Sequence, residues 1–160
     1  MNEKKEILVA KIENGTVIDH ITAGRALAVL KILNITGKEK NRVSILINAD
    51  SKKMIKKDII KVEERELSAD EVSLISLISL DATVNIVKGY EIVKKTKLTL
   101  PKRVKGLLRC NSHTCISNQD PEATPTFNVI ESKPLKLSCV YCRTYLYEED
   151  VLYQILGEKQ

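Results

Sequence analysis

Three features of the sequence predict an α+β chain in two parts. Strand and helix signals alternate through residues 1–100 as strand, helix, strand, strand, helix, strand, with one extra hairpin strand. Beyond Pro101 helical periodicity disappears, and short extended runs alternate with turn residues. All four cysteines fall in that second part, between positions 110 and 142. The first order suits a ferredoxin-like α/β sandwich, an antiparallel sheet plus two helices. The second suits a small all-β domain of the zinc-ribbon type. The expected domains are 1–100 and 101–160, divided at Pro101 because a proline biases its predecessor away from helix.

The elements follow in order. Ile7 to Ile12 reads as a strand, broken by Asn14-Gly15. Thr16 to Ile21 lacks a helical period and reads as an extended link. Thr22 is the expected N-cap of a helix to about Leu33, whose apolar face is Ala26, Leu27, Leu30 and Leu33. Asn34 and Gly37 end it. Val43 to Ile47 is a β-branched strand, Ser51 to Asp58 a lysine-rich loop, and Ile59 to Val62 the next strand. Ser68 and Glu71 form a capping box before Val72 to Leu80, a helix with serines 73, 76 and 79 as its narrow polar stripe. So apolar a helix is covered on more than one side, as deep core or as a subunit interface. Ala82 to Val87 and Tyr90 to Leu98 are strands joined at Lys88-Gly89. Val104 to Arg109, Thr126 to Glu131 and Leu135 to Ser138 are candidate strands in the second part. Asn118 to Pro125 is a polar loop, and Leu146 to Leu156 holds a strand and a short C-terminal segment.

Composition excludes several classes. Hydrophobic residues are 43% and charged residues 29%, a globular balance that argues against disorder, collagen and a long coiled coil. No apolar run approaches the roughly 20 residues of a membrane span. The N-terminal ten residues lack the apolar region of a signal peptide, so a cytoplasmic protein with no membrane partner is expected. The net charge of +5 invites an anionic partner without naming one. The lysines at 52, 53, 56, 57 and 61 are the most basic stretch, either a solvated loop or holders of a phosphate.

Cysteine spacing is the most specific signal. Cys110 and Cys115 are separated by 4 residues, Cys139 and Cys142 by 2, with 23 between the pairs. Thiolates are soft ligands, and two short loops bring two pairs to opposite sides of one tetrahedral ion. Four thiolates leave no open position for water, so one Zn2+ per chain with a structural role is expected. A domain of this size is marginal without such a staple. Two other readings stay open: His113 in place of one thiolate, and a redox C-x-x-C at Cys139, which lacks its usual βαβ setting.

No dinucleotide, phosphate-loop, zinc-protease or serine-hydrolase motif occurs, so no catalytic residue is assigned. A weaker pattern lies in the first part. Asp19, His20, Lys57, Lys61, Asn85, Lys94 and Lys95 fall where a small sandwich can bring several to one sheet edge. Lysines and a histidine there meet phosphates, and an aspartate accepts ribose hydroxyls. Scattered solvated charges are the competing reading.

GTVIDH at 15–20, KDIIK at 57–61, ATVN at 82–85 and YEIV at 90–93, followed by the two cysteine pairs in order, closely resemble the regulatory chains of aspartate carbamoyltransferase. The resemblance covers nearly the whole chain. It implies a non-catalytic subunit of a pyrimidine-biosynthesis enzyme, with an allosteric domain that binds CTP as inhibitor and ATP as activator at one shared site. It also implies a zinc domain that docks on the catalytic chain, and a regulatory-chain homodimer bridging catalytic trimers in a dodecamer. By position, Val9, Ala10, Lys11, Ile12 and Tyr90 would surround the base. Asp19 and Lys61 would contact the ribose. His20, Asn85, Ile92 and Lys95 would line the triphosphate, with Lys57 nearby, and Cys110, Cys115, Cys139 and Cys142 would hold zinc. Lys11 stands where the family pattern has a small apolar residue, and Ala10 where it has an acid. The alternative is a zinc-ribbon nucleic-acid-binding protein. Against it, residues 101–160 carry 8 basic and 7 acidic side chains, almost no excess. Nucleic acid is therefore not an expected partner. A small thiol enzyme is the remaining reading.

Overall fold

The computed structural model describes residues 11–157. Two antiparallel sheets are joined through helices. The first sheet is built from β1 (Gly15–Thr22), β2 (Val43–Ser51), β3 (Ile55–Glu63), β4 (Thr83–Lys88) and β5 (Glu91–Lys97), in the order β2-β3-β1-β4-β5. Helices α1 (Ala26–Ile32) and α2 (Ala69–Ile78) complete it. This is the expected α/β sandwich with one added edge strand. The second sheet is a meander of β6 (Arg103–Lys105), β7 (Thr126–Ser132), β8 (Leu135–Cys139) and β9 (Tyr145–Tyr147), in that order. Short α3 (Ile116–Gln119) and C-terminal α4 (Glu148–Leu156) complete the described residues.

The central strand differs from the sequence expectation. Residues 16–21 are not a link; they lie inside β1, which pairs with both β3 and β4. Thr16 and Ile18 alternate inward as a strand should, but the register slips between Ile18 and Ile21. His20 sits at that bulge with φ 55, so period-two alternation breaks after five residues and the strand signal is masked. Gly15 opens β1 with φ 143, and a Cβ there would strike the Val62 carbonyl, so only glycine fits. The expected strand Ile7–Ile12 lies mostly outside the described residues; Lys11 and Ile12 are not in a strand. The lysine-rich 51–58 stretch is not a loop. It is a hairpin whose strands β2 and β3 run up to Ser51 and on from Ile55.

Helix α1 starts later than Thr22, at Ala26, with Arg25 as N-cap and no side-chain cap of its own. Its cap comes from another strand. Buried Asp58 of β3 accepts from the amides of Gly24 (3.1 Å) and Ala26 (3.0 Å) through Oδ2. Its Oδ1 accepts from the Asn48 amide (2.8 Å). The late start turns the helix: Ala26, Ala28, Val29 and Leu33 are buried, whereas Leu27 is 62% exposed. Helix α2 carries the expected capping box. Its stripe is not solvated, however. Ser76 and Ser79 are buried, and the Ser79 hydroxyl accepts from the Thr22 amide (2.9 Å), tying α2 to the end of β1.

Helix α4 lies within what the sequence suggested was a short terminal segment. Three acids, Glu148, Glu149 and Asp150, occupy its first turn, where they complement the helix dipole. Gly157 ends it in the left-handed conformation, its amide donating to the Tyr153 carbonyl (2.7 Å). The helix packs on α1 and α2, so one apolar cluster runs from Ile18, Ile60 and Ile75 to Phe127, Leu137 and Val151. The second half of α2, Ile75 to Ile78, is thus buried in a core formed within the chain. Two ion pairs also cross between the sheets' domains, Arg25–Glu148 (3.4 Å) and Lys133–Asp81 (3.2 Å).

Candidate functional site

Two clusters stand out, one in each domain. In the first, antiparallel register sets Lys61 opposite Val17, Val17 opposite Asn85, and Asn85 opposite Lys95. Residues directly opposite one another share a sheet face, so one row crosses four strands. Asp19 and Thr83, two residues further along β1 and back along β4, form the next row on that face. This is the open face, away from Ile18, Ile60 and Val84, which bury toward the helices. The polar residues meet on the face of the sheet rather than at its edge.

Contacts within the face are specific. Asp19 Oδ1 takes the Lys57 ammonium (2.9 Å) and the His20 amide (2.6 Å). His20 Nδ1 lies 3.5 Å from the Thr83 hydroxyl. Burial pushes the Asp19 carboxyl up, but the Lys57 hydrogen bond, the His20 amide and the Lys57 charge together bring it below the ordinary carboxylate value. Burial holds the His20 imidazole below its ordinary value. Lys57, Lys53 and Lys95 add to that effect, and Asp19 opposes it. Burial likewise lowers Lys61, with Asp19 opposing and Lys11 adding. Asn85 is buried, and its Oδ1 has no hydrogen-bond partner among the described residues. This unsatisfied acceptor lies in the same row as Lys61 and Lys95, a place where water or a polar ligand can satisfy it.

The other expected residues scatter around this face. Ile92 lies opposite Val87 and shares the face, 59% exposed. Tyr90 sits in the β4–β5 turn, its amide donating to Glu13 (3.0 Å) and its side chain exposed. Lys11 is exposed and Ile12 buried; Val9 and Ala10 lie outside the described residues. Lys94 pairs opposite Ile86 and so falls on the other face, away from the cluster. Val17 and Thr83 were missed by sequence reasoning. Period two from Asp19 and from Asn85 points to both, once those segments are known to be strands.

The second cluster is made of cysteines. All four Sγ atoms lie within 4.8 Å of one another, with Cys110 to Cys142 at 3.4 Å and Cys115 to Cys139 at 3.7 Å. A tetrahedral thiolate shell with metal–sulfur bonds near 2.3 Å sets sulfurs about 3.8 Å apart, so the four fit one ion. Turns shape each side. The Cys115 amide donates to Ser112 O (3.1 Å), and the Arg143 amide to Cys139 O (3.0 Å) with Arg143 at φ 65. Asn118 Nδ2 ties the first loop by donating to Cys110 O and Ser112 O, both 2.8 Å. Hydroxyls of Ser117 and Thr144 lie 3.1 Å and 3.2 Å from Cys115 and Cys142. Thr144 draws the exposed Cys142 thiol down to about 6, while burial raises Cys110 and Cys139. The His113 side chain is not part of the cluster.

Comparison with known proteins agrees over both parts. Residues 7–99 match the aspartate carbamoyltransferase regulatory chain, allosteric domain. Residues 102–152 match the metal binding domain of the same chain. The aspartate carbamoyltransferase regulatory chain of Sulfolobus acidocaldarius is 56% identical over 154 residues, covering 96% of this chain and 94% of that one. Those of Metallosphaera sedula and Saccharolobus islandicus are 54% and 50% identical, covering 96% and 97% of this chain and 98% of each relative. This chain, with its allosteric and metal-binding domains, belongs to the aspartate carbamoyltransferase regulatory chains, subunits that regulate rather than catalyse.

Proposed function

We propose that the open face of the first sheet binds CTP and ATP as competing effectors, and that the second domain, closed around zinc, docks on catalytic trimers. The convergence of Asp19, His20, Lys57, Lys61, Asn85 and Lys95 on one face carries the first half. Cations meet phosphates there, with Asn85 beside them, and Asp19 suits ribose hydroxyls. Val9, Ala10, Lys11, Ile12, Tyr90 and Ile92 complete the base and phosphate surroundings. Zinc is the ion because four thiolates with this spacing satisfy it without an open site. A four-cysteine metal centre accords with a cytoplasmic setting. We place the domain boundary at Pro101. The edge of β2, unpaired among the described residues and with Ile45 and Ile47 exposed at 42% and 50%, supports a regulatory homodimer that extends the sheet. Nucleotides act only through differential affinity for the quaternary states of the assembly.

Reconstitution tests this directly. The zinc-loaded chain mixed with its catalytic trimer forms a complex of six and six chains by light scattering, and chelation dissolves it. No complex with verified zinc refutes the docking role. Lys95→Ala weakens nucleotide binding by about tenfold and spares assembly, since one charge-assisted contact is worth roughly that factor. Cys115→Ser does the reverse and abolishes assembly first. Unchanged nucleotide affinity in Lys95→Ala removes that residue from the site.

The depressed His20 imidazole gives binding a pH dependence. A phosphate stabilises its protonated form, so nucleotide binding takes up a proton and tightens as pH falls through the window between the free and bound values. Folding has the opposite sense. A histidine lowered from 6.5 favours the neutral native state, so its stability contribution is present above 6.5 and fades as pH falls through the lowered value. Calorimetry in buffers of different ionisation heat reads the proton uptake. His20→Asn flattens it, and an unchanged slope in that variant excludes the mechanism.

A further inference from the structure

The cationic face continues beyond His20. Thr83, whose hydroxyl approaches His20, lies opposite Lys97 on β5. Lys97 is two residues on from Lys95, so both point to the same face. Lys53 comes from the opposite direction, at the tip of the β2–β3 hairpin. There the backbone of Ile55 is held at φ 69, a conformation β-branched residues avoid. Lys53, Thr83 and Lys97 meet in a cleft of about 460 Å³ whose far wall includes Ser132 of the second sheet. Asp81 also lines it, but its carboxylate is taken by Lys133 across the domain boundary (3.2 Å). Among the described residues neither Lys53 nor Lys97 is in an ion pair.

We propose that this cleft is a phosphate subsite continuing the effector face to the boundary between the two domains. Two ammonium groups donate there, the hydroxyls of Thr83 and Ser132 can turn to donate as well, and the lining acid Asp81 is already paired with Lys133. That donor set suits a phosphate and not a cation. Influence of the Lys53 charge on His20 is an independent sign that the hairpin tip overhangs the face. A phosphate seated there lies beside Asp81, whose pair with Lys133 joins the two domains. Its source is either the terminal phosphate of a nucleotide in the effector site, which rests on the proposed function, or a free phosphate, which does not.

Titration calorimetry of the zinc-loaded chain with CTP, CMP and inorganic triphosphate tests the subsite. In Lys53→Ala and in Lys97→Ala, CTP affinity falls about tenfold while CMP affinity stays within twofold, and Lys97→Arg restores CTP binding. This pattern assigns the terminal phosphate as the ligand. Inorganic triphosphate that binds alongside saturating CMP, and is weakened about tenfold by the same substitutions, assigns a free phosphate instead. If the unmodified chain binds neither nucleotide but holds inorganic triphosphate through Lys97, the effector reading falls and the subsite stands. Equal losses for CTP and CMP, no binding of any probe to the unmodified chain, or unchanged affinities in the Lys53→Ala, Lys97→Ala double variant overturn the proposal.

Discussion

Removing the metal from the 160-residue chain unfolds its C-terminal sheet and leaves the five-stranded sheet folded. The reason is scale. A structural zinc ion supplies roughly 10–16 kcal/mol of apparent binding energy in small peptides, and a whole domain is stable by only about 5–15 kcal/mol. Around the cysteines the remaining core is small: Phe127, Leu137, Leu146 and Val104 with one short meander. Without the ion, burial keeps Cys110 and Cys139 protonated while Cys142 ionises near 6, so mixed thiols and a thiolate replace one neutralised shell. Helix α4 follows this domain and leaves its seat on α1 and α2. Hydrogen exchange resolves the two parts. Protection is lost in β7 and β8 and retained in β1, β3 and β4. Intact protection throughout, with the metal verified as gone, contradicts the expectation. Ile18, Ile60, Ile75 and Val84, the part of the apolar cluster on the first sheet and α2, keep packing on one another without the ion.

Asp58→Ala has the second large effect. Its carboxylate serves three backbone amides at once, those of Gly24, Ala26 and Asn48. An orphaned buried donor costs about 1–3 kcal/mol, so the loss of the whole set is about 4 kcal/mol. For a chain of this length that lowers the melting temperature by about 10 °C. Asp58→Asn keeps the volume but turns an N–H toward one of the donors, and is only partly better. Urea denaturation measures the difference, and a loss under about 1 kcal/mol excludes the capping role. The consequence reaches the polar face because Lys57, the preceding residue, pairs with Asp19 there. One strand thus anchors the face and caps α1. Arg25 at that cap contacts Glu148 of the metal-binding domain, so the same short stretch ties the first sheet to that domain.

The sequence was most legible where its signals are local. The Ser68–Glu71 box starts α2 within one turn of where periodicity placed it, because both capping bonds span three residues. Cysteine chemistry is legible for a similar reason, since a four-thiolate shell constrains spacing before any fold is known. The order of elements yielded the sandwich. Reading failed where a local pattern was interrupted or overruled. The bulge at His20 hid the central strand, and a remote carboxylate set the start of α1, moving Leu27 off the buried face. Charged hairpin residues read as loop because Lys52 and Lys53 lie in the turn and the lysines that follow sit at the start of β3, beside the edge strand β2.

By itself, then, the sequence determined the two-part architecture, the capped helix α2 and the four-cysteine metal centre. Each depends on residues a few positions apart or on a fixed ligand chemistry. Only the tertiary structure decided that Lys61, Asn85 and Lys95 join Asp19 on one face, that α4 binds the domains together, and that Asp58 serves as a cap. Those facts rest on strand register, and register pairs residues such as Val17 and Asn85 that lie far apart in the chain. Pairing of that kind is settled by the collective burial of Ile18, Ile60 and Val84, not by any local preference.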